Sequence, residues 1–175
     1  YRAGRPISAL VETGVLATHW LRHDFHGQLV TDRPLYLHQD EVISRVVEER
    51  RNVVVATGTG SGKTEAFLIP IIETLFRQQA AGRLRPGVRA LLLYPMNALA
   101  NDQLRRLREL LRDVPAITFG RYTGETEETR QGGIAVLQAA ASNVTVLSNE
   151  LLGREEMQAT PPHILLTNYA MLEYL

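Results

Sequence analysis

The residues Asn52-Val53-Val54-Val55-Ala56-Thr57-Gly58-Thr59-Gly60-Ser61-Gly62-Lys63-Thr64-Glu65 have the types and spacing needed to grip a triphosphate. Glycines at 58, 60 and 62 let backbone N–H groups curl around an anion with no Cβ in the way. A helix beginning at this point aims its unpaired N–H groups and positive dipole end at the same anion. Lys63 stands where an ammonium reaches the terminal phosphates, and Thr64 where a hydroxyl holds Mg²⁺. Thr57, Gly58, Thr59, Gly60, Ser61, Gly62 and Glu65 make up the rest of the expected cradle. Of nineteen Lys plus Arg, Lys63 is the only lysine. A compact ammonium on a flexible stem fits between phosphate oxygens, and a planar guanidinium fork does not. In the pattern G-x-x-x-x-G-K-[ST], Thr57 takes the place of the first glycine. The plainer alternative is a glycine-rich turn with a fortuitous lysine; the strand, loop, helix order around it favours the phosphate loop.

The elements that must position this loop follow from pattern. Asn52–Ala56 reads as the strand before it. The helix after it is apolar nearly all round, from Ala66 through Phe76, with Pro70 expected to kink it. Upstream, Pro34 opens Leu35-Tyr36-Leu37-His38-Gln39, which leads into a helix carrying Val42, Ile43, Val46 and Val47. The Gln39 amide offers one donor and one acceptor, which suits an adenine edge and equally suits a helix cap. Downstream, Val88–Tyr94, Ile117–Tyr122 and Ile164–Thr167 read as strands. Ala98–Leu111, Asn149–Met157 and a segment from Asn168 or Tyr169 to Leu175 read as helices, and an alanine-rich helical pattern follows Gly132-Gly133. The unbroken apolar run at 88–94 predicts a strand covered on both faces. Alternating strands and helices predict an α/β fold, a parallel β-sheet with helices on both faces. Residues 1–33 form a helical lead-in with Ile7, Leu10, Val11, Val15 and Leu16 at helical spacing. His19, His23 and His26 in this segment are spaced to converge on a metal, but default to histidines in a connector.

Composition bounds the rest. At 175 residues, 45% hydrophobic and 22% charged, the chain is ordinary for a globular domain. It has no cysteine, no signal segment and no apolar run approaching the ~20 residues of a bilayer helix. A cytoplasmic protein with no membrane partner is the expectation. Net charge is zero, yet Arg77–Arg112 holds eight arginines against two acids, and Asp113–Glu156 seven acids against three arginines. The basic stretch is either the footprint of a polyanion or a solvated face.

Thr57–Thr64 resembles motif I of superfamily 2 helicases, and other segments follow in that family's order. Leu37-His38-Gln39 resembles the adenine-reading Q motif. Pro95-Met96-Asn97-Ala98-Leu99-Ala100-Asn101-Asp102-Gln103 resembles motif Ia, with Met96 and Asn97 replacing the usual hydroxyl and basic residues. Tyr122-Thr123-Gly124-Glu125 looks like the glycine turn after the third strand. Ile164–Leu172 resembles motif Ib in its T-N-x-x-M-L form. The wording is similar to large bacterial DExH helicases of the MrfA-like group, including relatives in phage-defence systems such as DISARM and Druantia.

The resemblance implies ATP and Mg²⁺ as cofactors, with Gln39 on adenine and Lys63 and Thr64 carrying the catalytic and metal roles. It implies Pro95, Asn97, Thr123, Gly124, Thr167 and Asn168 on a nucleic-acid backbone, DNA in preference to RNA. It further implies that residues 34–175 are the leading part of a first RecA-like domain, a P-loop NTPase fold. The acidic D-E-x-H motif and the second RecA-like domain then belong to the remainder of the polypeptide, and defence-complex subunits are candidate partners. The 175 residues alone are expected to hydrolyse ATP poorly, since the carboxylates that organise Mg²⁺ and water are not among them. Two rivals stay open on sequence: a nucleotide-binding scaffold or switch, and a P-loop NTPase acting on a small molecule.

Overall fold

The computed structural model describes residues 2–58, 60–141 and 143–174; Thr59 of the expected cradle lies outside them. The chain divides into two compact units, Tyr1–Leu84 and Arg85–Leu175.

In the first unit, β1 (Ala3–Pro6) pairs antiparallel with β2 (Pro34–Tyr36). Between them lie α1 (Ile7–Glu12) and two 3₁₀ turns, Thr18–Arg22 and Phe25–Gly27. Then come α2 (Leu37–Val47) and α3 (Lys63–Ala80), which pack on each other, and α3 continues through Pro70. Trp20 sits edge-on to Phe76 with ring centroids 5.4 Å apart, and both are buried with Leu10, Phe25, Ile69 and Ile72. The lead-in is therefore mixed in secondary structure rather than helical throughout. It is tied to α3 through the Glu73 carboxylate, which accepts from Ala17 N–H (3.0 Å) and Trp20 Nε1–H (2.8 Å). His19 and His23 stack on Phe76 at 5.4 and 5.5 Å. Among the described residues no group of three His, Cys, Asp or Glu side chains could hold a metal.

One expected element is missing. Residues 51–58 form no strand, and Val54 is 94% exposed. Exposure alternates along 53–58, as in extended chain with one face against the protein. A β-branched run becomes a strand only where it pairs with a neighbouring edge, and among the described residues this segment pairs with neither β1 nor β2.

The second unit holds the predicted parallel sheet. Its four strands, β3 (Ala90–Tyr94), β4 (Phe119–Arg121), β5 (Glu150–Leu151) and β6 (Ile164–Asn168), run in the order β3-β6-β4-β5. Register runs from Ala90 opposite Ile164 to Tyr94 opposite Asn168, and Arg121 faces Leu166. In β6, Ile164 to Thr167 are all buried, the continuous run expected of a central parallel strand. β3 is an edge strand: only its Leu92 is buried, and Leu91 is 45% exposed, so the expected cover on both faces is not there. The helices are α4 (Asn97–Leu111), α5 (Arg130–Ala140), α6 (Arg154–Ala159) and α7 (Tyr169–Leu172).

The helix expected at 149–157 is instead β5 followed by α6. Buried Asn149 donates through Nδ2 to the carbonyls of Leu111, Val114 and Ile117 at 3.0, 3.1 and 2.9 Å, which fixes the chain beside β4. Gly153 then caps α6, and the Glu156 carboxylate reaches back to Gly153 N–H at 3.1 Å. Among the described residues no helix is long and apolar enough to cross a membrane.

Candidate functional site

The loop before α3 is built as its glycines require. Gly60 and Gly62 have φ of +71° and +73°, the left-handed region that other residues enter at a cost. Gly62 is the residue from which α3 starts, so its turn aims the helix's unpaired N–H groups back across the loop. Lys63 folds over the loop: its Nζ donates to the carbonyls of Thr57 (2.8 Å) and Gly58 (2.5 Å). Ser61 is buried, its hydroxyl 2.6 Å from that of Thr57. Thr64 and Glu65 occupy the first turn of α3, both half-buried. Among the described residues of the loop, the Lys63 ammonium thus lies against the Thr57 and Gly58 carbonyls.

Gln39 is brought to this loop across 23 positions of sequence and is almost wholly buried. Its Oε1 accepts from Tyr36 N–H (2.8 Å), closing the start of α2, and its Nε2 donates to the Gly62 carbonyl (2.8 Å) and towards Glu65 Oε2 (3.4 Å). The side chain therefore caps its own helix and braces the phosphate loop at once. Beside it opens a cavity of about 220 Å³, lined among others by Gly27, Val30, Arg33, Tyr36, Gly60 and Glu65. Sequence reasoning did not assign Arg33, Tyr36 or the Gly27–Val30 segment to this site. The signal lay in the Tyr36–Gln39 spacing, which puts an aromatic ring one helical turn ahead of the amide.

In the second unit, the carboxyl ends of β3, β4 and β6 share one rim, where open parallel sheets present their ligands. Pro95 and Asn97 follow β3, Thr123 and Gly124 follow β4, and Thr167 and Asn168 end β6. Asn168 caps α7 through Oδ1, which accepts from Met171 N–H, and its Nδ2 donates to Asn97 Oδ1 at 2.6 Å. Asn97 Nδ2 donates to Glu125 Oε1 at 2.9 Å, and Arg121 Nη1 to Glu125 Oε2 at 3.2 Å. Arg121 also donates to Asn101 Oδ1. Thr123 and Thr167 are fully buried; Thr167 Oγ1 donates to the Tyr122 carbonyl at 2.7 Å, tying β6 to the turn after β4. Arg154 donates to the carbonyls of Thr123 and Gly124 and lies over the Tyr122 ring at 5.6 Å. At the rim Gly124 is exposed and Asn97 and Asn168 are half-buried, with the two threonines fully buried. Arg121, Asn101 and Arg154 were not assigned from sequence; an arginine ending a strand was the available signal.

Much of the local positive charge is satisfied internally. Arg108 pairs with buried Glu150 and donates to the Thr145 carbonyl, Arg77 pairs with Glu73, and Arg105 and Arg112 pair along α4. Burial pushes Glu150 up from its ordinary range, against the pull of Arg108. These pairs favour the solvated-face reading of the basic stretch over a dedicated polyanion footprint.

The chain belongs to the DEAD/DEAH box helicase family, whose signature matches residues 36–171. It is 33% identical to the Druantia protein DruE of Escherichia coli (strain UMEA 4076-1), across 100% of this chain and 14% of that protein. It is 30% identical to the ATP-dependent helicase Lhr-Core of Methanothermobacter thermautotrophicus, across 90% of this chain and 16% of that protein. A 39% identity to the ATP-dependent RNA helicase DBP10 of Chaetomium globosum spans 51% of this chain and 11% of that protein. The chain spans between 11% and 16% of the length of these relatives.

Proposed function

We propose that this chain is the ATP-binding part of an ATP-dependent helicase or translocase acting on nucleic acid, DNA in preference to RNA, within a longer polypeptide. The observation that carries the reading is Lys63 Nζ held over a loop with two left-handed glycines, braced by Gln39 at the mouth of a cavity. A triphosphate fits these residues. Its oxygens would replace the Thr57 and Gly58 carbonyls as partners of the Lys63 ammonium, and the N–H groups at the start of α3 face the same position. Thr64 is the hydroxyl that would hold Mg²⁺. Adenine would enter beside Tyr36 and Gln39, whose amide would trade one protein partner for a base edge. When bound, the triphosphate would supply the phosphoanhydride bond whose cleavage drives movement and Mg²⁺ the positive charge that offsets its oxygens; the chain's own residues bind and orient.

At the rim, Asn97, Gly124 and Asn168 would contact the nucleic-acid backbone, with Pro95, Thr123 and Thr167 holding the loops that carry them. Contacts of this kind give affinity with little sequence preference and a steep salt dependence. Similarity to a Druantia protein supports antiviral defence as the setting, with other defence subunits as partners; DNA repair is the alternative setting. Binding of a fluorescent ATP analogue to the full-length protein tests the reading. Lys63→Ala is expected to weaken binding at least about tenfold, a loss of about 1.4 kcal/mol or more. Gln39→Ala is expected to reduce the preference for ATP over GTP. Unchanged analogue binding by Lys63→Ala would remove the proposal.

A further inference from the structure

We propose that Glu125 is a built-in occupant of an anion site formed by Arg121 and Asn97, displaced when a phosphate of the nucleic-acid backbone binds there. The inference rests on the rim's being the nucleic-acid interface. Its starting point is how the carboxylate is held: one oxygen accepts from Asn97 Nδ2 at 2.9 Å and the other from Arg121 Nη1 at 3.2 Å. Two donors on different elements, one opening α4 and one ending β4, thus converge on a pair of oxygens. That is the geometry a phosphate presents to a mixed amide and guanidinium site.

Both donors are fixed without Glu125. Asn97 Oδ1 accepts from Asn168 Nδ2 at 2.6 Å, which turns the Asn97 amide N–H group towards the acid. Arg121 is steadied by Asn101, one turn into α4. The acceptor lies on the solvent side: the Glu125 side chain is 54% exposed and that of Arg121 only 18%. A half-exposed ion pair of this kind is weak and screened by salt, so a phosphate can replace it. α4 adds to the site's polarity, since it starts with no side-chain cap and no acid in its first turn. A purely structural role would have Glu125 hold Asn97 and Arg121 in place for the rim; displacement predicts the opposite sign when it is removed.

The test is fluorescence anisotropy of a labelled single-stranded oligothymidylate with the full-length protein across a salt series. Glu125→Ala is expected to tighten binding about three- to tenfold near 0.1 M salt and to steepen the salt slope by about 0.7, one extra phosphate on a single strand. Neutralising the neighbouring exposed acid in Glu128→Ala controls for general repulsion and should give a smaller gain with no change in slope. The gain from Glu125→Ala should vanish in an Arg121→Ala or an Asn97→Ala background. Glu125→Ala binding that is unchanged, weaker, or matched by Glu128→Ala overturns the displacement and leaves the interface standing. Salt-independent or absent binding by the wild type overturns the interface and the displacement together.

Discussion

At Gly62 two constraints coincide. Its φ of +73° is one that side chains rarely adopt, and a Cβ built there would lie 2.4 Å from Gln39 Nε2 and 3.1 Å from Glu65 Oε2. Gly62→Ala should therefore strain the loop and push away its brace together, at about 1–3 kcal/mol of stability. Thermal unfolding and ATP-analogue binding should both worsen, whereas Gly60→Ala, with open space around its Cβ, should show the smaller loss. This glycine, Lys63 and Ser61 were legible in sequence because loop chemistry is local. Gln39 was legible only as two alternatives, cap or base reader. The fold uses its oxygen as the cap and points its nitrogen at the loop, an arrangement that depends on α2 meeting α3 and that no local pattern encodes. Thr123 and Thr167 sat at readable motif positions, but their burial depends on how β4 and β6 pair.

At the scale of elements, the helix expected at 98–111 came through to within a residue as α4, while the strand expected at 52–56 and the helix expected at 149–157 did not. Val53-Val54-Val55 has strand composition, but among the described residues it pairs with neither strand of its own unit. Residues 149–157 have a helical composition that is overridden by the three carbonyls gathered on Asn149 Nδ2. Replacing that amide with Leu should leave buried carbonyls unpaired and cost about 2–3 kcal/mol. Asn149→Asp should cost more, because a carboxylate faces the same three acceptors with nothing to donate. Urea unfolding followed in the second unit would rank the two variants. In the first unit, Glu73→Leu should strip Trp20 Nε1 and Ala17 N–H of their acceptor, with a loss of similar size seen as a red-shifted tryptophan emission.

Across the whole molecule the two units respond to acid through different groups. In the second, buried His163 accepts from Thr118 N–H at 3.0 Å through Nδ1 and contacts the Arg85 carbonyl through Nε2. Burial pushes this imidazole below its ordinary pKa, so it stays neutral in the fold while the unfolded chain gains a proton below about pH 6.5. Stability tied to it is complete above that pH and is lost as pH falls towards the folded value. In the first unit, burial works against the Asp40 charge, but hydrogen bonds from Arg5 outweigh it and hold the carboxyl below its usual range. That contribution is complete above about pH 3.9 and is lost only in stronger acid. Denaturant midpoints should therefore fall between pH 7.5 and pH 5.5, and His163→Gln should flatten that fall while Asp40→Asn leaves its slope unchanged.

An ammonium seated over a glycine-turned loop is the feature on which the proposed function rests. The most direct test is steady-state ATP turnover by the full-length protein with and without single-stranded DNA, wild type against Lys63→Ala. Turnover stimulated by DNA in the wild type and abolished by the substitution is the predicted result. Turnover that persists in Lys63→Ala, or that ignores DNA in the wild type, would contradict it.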